Sequence, residues 1–151
     1  MERVFKAHYN KVTGLFIANA ERKIVQDVVK DFNSALIQGF VLRRRTLDLN
    51  GVKTDIEGIK GAQFKGIWLK RQPGGPPIDS QGAYGGAVLS DRETRLQANQ
   101  GLITSLSLVW PLAKLGFTVR VWVTSGGSVY FLAKYSLEEQ LTFIEYLAEN
   151  Y

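Results

Sequence analysis

The sequence of 151 residues contains no cysteine and a single histidine, His8. The lack of cysteine excludes disulfides, zinc ribbons, iron–sulfur clusters and a thiol nucleophile. One histidine is too few for a histidine-rich metal site, and a Ser/His/Asp triad would depend on that one residue. These absences leave carboxylates as the candidate metal ligands.

Long apolar runs are also lacking. No stretch approaches the roughly 20 apolar residues that span a membrane, and the first residues, MERVFKAHYNK, are charged rather than apolar. We therefore expect a cytoplasmic protein with no membrane segment. The hydrophobic fraction of 45% suits a single soluble domain, residues 1–151, and the net charge of +5 favours a polyanionic partner such as nucleic acid.

The hydrophobic pattern predicts an α/β protein with a mixed central sheet flanked by helices. Apolar residues at helical spacing predict a first helix from Asn19 to Leu36. Residues 40–49, which end at the turn signal Asn50-Gly51, predict strand one, and residues 51–71 predict strands two and three. The apolar patch at residues 15–17 fits either a strand or the lead into a helix.

The second half of the chain begins with a composition shift. Residues 72–88 are rich in glycine and proline and predict a long flexible loop. A capping box, Ser90 to Glu93, predicts a second helix that is buried over residues 102–115 and bent near Pro111. Two strands around a turn at residues 125–128 and a capped closing helix complete the predicted order α-β-β-β-α-β-β-α.

The stretch at residues 51–71 carries the candidate chemistry. Asp55 and Glu57 are two residues apart on predicted strand two, so their side chains would leave the same face and could share one cation. Trp68 and Lys70 would share a face of predicted strand three. Acids on one strand and a lysine on its neighbour are typical of a metal-dependent phosphodiesterase site, although the solvated side of a sheet has the same pattern.

Several short motifs surround these residues: NAERKIV at 19–25, GF-V-R at 39–43, TDI at 54–56 and IWLK at 67–70. Their order resembles the PD-(D/E)xK, or restriction-endonuclease-like, nucleases. NAERKIV is similar to the opening helix of archaeal-type Holliday-junction resolvases, and GIWLKRQPGG is similar to the virus-type replication-repair nuclease branch. Trp68 departs from the family, because it occupies the place of the second acid.

The resemblance implies a magnesium-dependent DNA endonuclease or junction resolvase, and a homodimer, since a junction has two-fold symmetry. It implies that Asp55 and Glu57 hold Mg²⁺, with Glu21 as an outer contributor. Lys70 would orient the attacking water or stabilise charge in the transition state. Because Trp68 cannot bind a metal, Glu57 or Glu93 would have to supply the second acid.

Two other interpretations belong to different classes. The first is a non-catalytic DNA- or RNA-binding module in which Trp68, Trp122 and Tyr130 stack bases. The second is a structural or assembly protein whose positive charge is incidental. The candidate nucleic-acid-binding residues are Arg43, Arg44, Arg45, Lys65, Arg71, Tyr84, Arg92 and Arg95. Dependence on a divalent metal separates nuclease from binder, and a failure to bind nucleic acid at low salt would leave only the structural interpretation.

Overall fold

The computed structural model describes residues 6–35, 39, 41–70 and 102–151, which fall in two compact units, Met1–Arg45 and Thr46–Tyr151. The first unit contains β1 (Lys6–Asn10), β2 (Leu15–Asn19) and α1 (Arg22–Ser34). The second contains α2 (Leu49–Glu57), β3 (Gln63–Lys70), β4 (Leu102–Leu112), β5 (Phe117–Thr124), β6 (Val129–Phe131) and α3 (Leu137–Asn150). The α/β class is therefore confirmed, with three helices and two antiparallel sheets over the described residues.

The first unit is a β-hairpin followed by a helix. β1 and β2 pair antiparallel, and the N–H of Gly14 closes their turn by donating to the carbonyl of Asn10 at 2.8 Å. Gly14 has a φ of 70°, a conformation that glycine adopts without steric cost. Residues 15–17 thus lie in a strand. The predicted N-cap at Asn19 was wrong, because Asn19 ends β2 and α1 begins only after Glu21.

The second unit is built on a four-stranded sheet in the order β3-β4-β5-β6, with every neighbouring pair antiparallel. Side chains alternate between its two faces. One face is apolar and buried, and residues of α2 and α3 belong to the same core. The fully buried core side chains are Val52, Ile56, Leu106, Leu108, Trp110, Val119, Val121, Val123, Phe143 and Leu147. The helices thus cover one face of the sheet.

The predicted strands one and two were wrong. Residues 41–48 have no regular secondary structure, and residues 49–57 form α2. The Asn50-Gly51 pair is not a hairpin turn, because the side chain of Asp48 caps the helix by accepting the N–H groups of both residues at 3.1 Å. Leu49, Val52 and Ile56 are spaced for a helix and are buried on one side of it.

The prediction of a helix over residues 102–115 was also wrong, because residues 102–112 form β4. Leu106, Leu108, Trp110 and Leu112 are buried and alternate with less buried residues, which is the period of a strand. Pro111 lies beyond the last pair that β4 forms with β3, so its missing N–H removes no bond to that strand. The 72–88 loop and the Ser90 to Glu93 capping box lie outside the described residues.

The predicted mixed sheet was wrong, because every described strand pair is antiparallel. Three other predictions for the second unit were correct. Residues 64–69 lie in β3, and residues 117–124 form β5, with a turn at residues 125–127 leading to β6. Ser136 and Glu139 form the predicted capping box, in which the Ser136 hydroxyl accepts the N–H of Glu139 at 3.1 Å and the Glu139 carboxylate accepts the N–H of Ser136 at 2.7 Å. Among the described residues, no helix is long and apolar enough to cross a membrane.

The predicted order of elements was therefore wrong in three places. Two strands precede the first helix, a helix replaces predicted strands one and two, and a strand replaces the apolar half of the predicted second helix. In α2 and β4, the buried apolar residues have the period of the element that forms.

Candidate nucleic-acid interface

Three aromatic side chains form a row on the face of the four-stranded sheet opposite the helices. Trp68 lies on β3, Trp122 on β5 and Tyr130 on β6. The rings of Trp68 and Trp122 are stacked, with centroids 4.8 Å apart and planes 14° apart. Trp122 and Tyr130 follow at 5.7 Å with planes tilted by 46°. Trp122 is 37% exposed and Tyr130 is 49% exposed, so the row is open to ligands.

Alternation along β5 explains why Trp122 lies on this face. Val121 and Val123, its neighbours in sequence, are fully buried in the core, so the side chain between them leaves the opposite face. Arg120 is two residues before Trp122, is exposed and leaves the same face. We call the surface formed by Trp68, Arg120, Trp122 and Tyr130 the aromatic face.

Small residues on β4 allow the two indoles to meet. β4 lies between β3 and β5, and large side chains there would keep Trp68 and Trp122 apart. The residue opposite Trp68 is Ser105, and the residue opposite Trp122 is Ser107. The indoles therefore stack above the middle strand. Aromatic pairs of this kind contribute about 0.5–1.5 kcal/mol beyond the area they bury.

Charge is divided between the sheet and the helices of the second unit. In the described stretches 58–70 and 102–136, which hold the strands and their turns, there are six cationic residues and no acid. The cationic residues are Lys60, Lys65, Lys70, Lys114, Arg120 and Lys134. The acids of the described part of this unit are Asp48, Asp55, Glu57, Glu138, Glu139, Glu145 and Glu149, which lie on or beside α2 and α3. A polyanion would therefore be attracted to the sheet and repelled by the helices.

The predicted catalytic acids do not share a face. Asp55 and Glu57 lie on α2, where residues two apart diverge by roughly 200° around the axis. Oδ2 of Asp55 accepts a hydrogen bond from the Tyr151 hydroxyl at 2.5 Å, whereas Oε1 of Glu57 forms an ion pair with Nζ of Lys53 at 2.7 Å. The two carboxylates have separate partners, so together they do not form the Mg²⁺ site that the resemblance implies.

Three other residues were predicted for the metal site, Glu21, Lys70 and Glu93. Glu21 is exposed at the start of α1, in the first unit. The side chain of Lys70, and Glu93 as a whole, lie outside the described residues. Among the side chains that the structure describes, no group of three histidine, aspartate or glutamate residues could hold a metal ion.

The predicted nucleic-acid-binding residues lie in three different parts of the chain, and four of them are outside the described residues. Lys65 is exposed on β3, close in sequence to Trp68. Three arginines, Arg43, Arg44 and Arg45, are exposed in the irregular segment 41–48. The remaining four, Arg71, Tyr84, Arg92 and Arg95, lie outside the described residues. Arg120 was missed, although its position two residues before Trp122 on an alternating strand could have indicated it.

Tyr151 forms hydrogen bonds with Asp55 of α2 and with Asp48, the residue that caps α2. Burial raises the pKa of its hydroxyl well above the usual value near 10, and the hydrogen bond to Asp55 and the nearby Tyr146 raise it further. The hydroxyl is therefore protonated at neutral pH and donates to Asp55. The carbonyl of Tyr151 also accepts the N–H of Asp48 at 3.1 Å. Asp55 is thus part of a structural contact in this unit.

Comparisons with models of known protein families, with curated proteins and with solved structures find no match for this chain.

Proposed function

We propose that this protein binds nucleic acid and that the aromatic face of its four-stranded sheet is the contact surface. The observation that carries the proposal is the division of charge in the second unit, where the strands and turns that the structure describes have cations without acids. A surface of this kind attracts the phosphate backbone, and binding releases the counterions condensed on it. The overall excess of lysine and arginine, 19 against 14 acids, acts in the same direction.

Two exposed cations on the sheet are the best candidates for phosphate contacts. Arg120 projects from the aromatic face beside Trp122, and Lys65 is exposed at the register shift between Phe64 and Gly66 of β3. Arginine offers a planar fork of N–H donors to a phosphate, and lysine offers a compact charge. These residues would position the backbone, and the neighbouring rings would remain available for the bases.

Metal-dependent cleavage is the alternative, and it stays a prediction together with the restriction-endonuclease-like fold that the resemblance implies. A nuclease needs a positively charged surface for its substrate, as a binding module does, so charge alone does not separate the two functions. The contacts of Asp55 with Tyr151 and of Glu57 with Lys53 favour the binding module, because each acid already has a partner within the fold. A structural or assembly role would need neither the cations nor the exposed rings of the aromatic face.

Fluorescence anisotropy with labelled DNA and RNA, each single- and double-stranded, tests the proposal over a range of salt concentrations. The informative variant combines Lys65→Gln with Arg120→Gln. We expect weaker binding at low salt and a shallower salt dependence of the affinity. The slope of log K against log [salt] should decrease by about 0.7–0.9 for each phosphate that the variant no longer neutralises.

The matched control combines Lys23→Gln with Lys30→Gln, which makes the same change in net charge at exposed positions of α1 in the first unit. This control should bind nearly as tightly as the wild type. Equal weakening by both pairs of substitutions would mean that general charge, and not this face, is responsible. If the protein bound no nucleic acid at low salt, the proposal would be wrong. The interpretation as a structural or assembly protein would then remain.

A further inference from the structure

We infer that the aromatic face binds single-stranded nucleic acid, with unpaired bases stacked on Trp122 and Tyr130. The inference rests on the proposed function but uses a separate observation, the row of exposed rings. In a duplex each base is covered above and below by its neighbours, and only base edges and backbone are accessible. Aromatic rings on an open sheet can stack on bases only where those bases are unpaired.

The geometry of the row leaves ring surface for ligands. Trp68 and Trp122 cover each other on one side, since they are stacked at 4.8 Å. Trp122 and Tyr130 are not stacked on each other, because their planes are tilted by 46° at 5.7 Å. Each of these two rings therefore keeps surface that a flat base can cover, in agreement with their exposed fractions of 37% and 49%.

Trp68 acts as a positioning residue for Trp122. Its nearly parallel contact fixes the plane of the Trp122 indole, which would otherwise move among rotamers on an open surface. A ring that is already held in place loses less conformational freedom when a base stacks on it. Ser105 and Ser107 belong to this arrangement, because they keep the space above β4 open.

Charge complementarity selects nucleic acid over other occupants of an exposed aromatic surface. A second copy of this chain would bring its own Arg120 against the same cationic surface, and like charges oppose such a contact. A neutral polymer would use the rings but not the cations. A single strand uses both, because its bases stack while its phosphates contact Arg120 and Lys65.

The test compares an oligonucleotide with its own duplex, using the full-length protein and three substitutions on β5. Trp122→Ala removes the stacking ring, and Trp122→Phe keeps a smaller one. The matched control is Thr118→Ala, which shortens an exposed side chain on the same face of the same strand. Affinity is measured by anisotropy, base stacking by quenching of tryptophan fluorescence, and folding of each variant by thermal melting.

We expect the single strand to bind at least tenfold more tightly than the duplex and to quench the fluorescence. Trp122→Ala should reduce single-strand affinity roughly tenfold, which lies within the range of about 1–3 kcal/mol for the loss of one base–aromatic stack. Trp122→Phe should retain most of that affinity, and Thr118→Ala should retain all of it. Because Trp122 is partly exposed, we expect the variants to remain folded.

Three results would overturn the inference in distinguishable ways. Equal binding of single strand and duplex, with Trp122→Ala unaffected, would overturn the single-strand inference and leave nucleic-acid binding intact. A dimer that forms without nucleic acid and dissociates in Trp122→Ala, measured by sedimentation, would assign the aromatic face to a second copy. No binding of either form at low salt would overturn the inference and the proposed function together.

Discussion

The hydroxyl of Tyr151 donates a hydrogen bond to the Asp55 carboxylate at 2.5 Å and links Tyr151 to α2. The ring of Tyr151 also lies 5.9 Å from the buried indole of Trp110, which connects this contact to the core. Asp55 therefore has a structural partner at the position where the sequence predicts a metal ligand.

Replacing Tyr151 with phenylalanine should lower the free energy of unfolding at pH 7 by about 1 kcal/mol, the cost of one hydrogen bond in a partly exposed setting. The ring remains, so its packing against Trp110 is kept. Urea denaturation of the wild type and of Tyr151→Phe measures the difference. An unchanged stability would mean that the hydrogen bond contributes nothing in solution.

The same pair predicts how stability changes at high pH. The pKa of Tyr151 is raised in the folded protein, because burial and the Asp55 carboxylate disfavour the tyrosinate. The unfolded chain releases this proton near pH 10, so the contribution to stability is complete well below pH 10 and is lost as the pH rises through and beyond that value. The advantage of the wild type over Tyr151→Phe should therefore shrink between pH 9 and about pH 11. A constant difference over this range would contradict the raised pKa.

Binding of nucleic acid should not depend on a divalent metal or on Asp55. We expect the same affinity in Mg²⁺ and in chelator, and the same affinity for the wild type and Asp55→Asn, because the aromatic face uses cations and rings. Anisotropy with a labelled single strand measures both comparisons, and gel analysis of the same samples detects cleavage. Cutting that disappears in Asp55→Asn and in chelator would instead establish the endonuclease that the sequence resemblance implies.

Tyr135 is expected to protect the outer edge of β5. Its hydroxyl accepts the N–H of Arg120 at 2.8 Å and donates to the carbonyl of Thr118 at 3.3 Å, so one side chain satisfies two backbone groups. Tyr135→Phe should lower stability by about 1 kcal/mol and speed hydrogen exchange at the Arg120 amide. Tyr130→Phe is the control, since it removes an exposed tyrosine hydroxyl on the neighbouring strand. Equal exchange rates in both variants would rule out edge protection by Tyr135.

The parts of the fold that the sequence predicted correctly depend on local signals. β5 alternates over eight residues, and α3 begins at a capping box that forms as predicted. In these segments, turn chemistry and hydrophobic period indicate the same element, so little depends on tertiary context. The sequence also indicated Trp68, Trp122 and Tyr130 as stacking residues, although only the strand register brings them into one row.

The errors came from segments in which two local signals disagreed. Asn50-Gly51 is a strong turn signal, yet the cap at Asp48 and the helical spacing of buried residues place it in the first turn of α2. In β4, the apolar content suggested a buried helix, although Ser105 and Ser107 alternate with buried leucines. The first error also removed the argument for a metal site, because Asp55 and Glu57 share a face only on a strand.

Gly51 offers a test of this revised assignment, because alanine there should destabilise the protein although alanine normally favours a helix. A Cβ at Gly51 would lie 2.8 Å from Oδ2 of Asp48, the residue that caps α2, and 3.3 Å from the ring of Tyr151. We expect Gly51→Ala to lower the free energy of unfolding by about 1 kcal/mol through displacement of the cap. Gly58→Ala is the matched control at the other end of α2, where a Cβ would be 3.7 Å from its nearest neighbour, and it should be neutral or stabilising. If Gly51→Ala were as stable as Gly58→Ala in urea, the capped helix would not be the conformation of this segment, and the strand on which the metal-site prediction depended would again need to be considered.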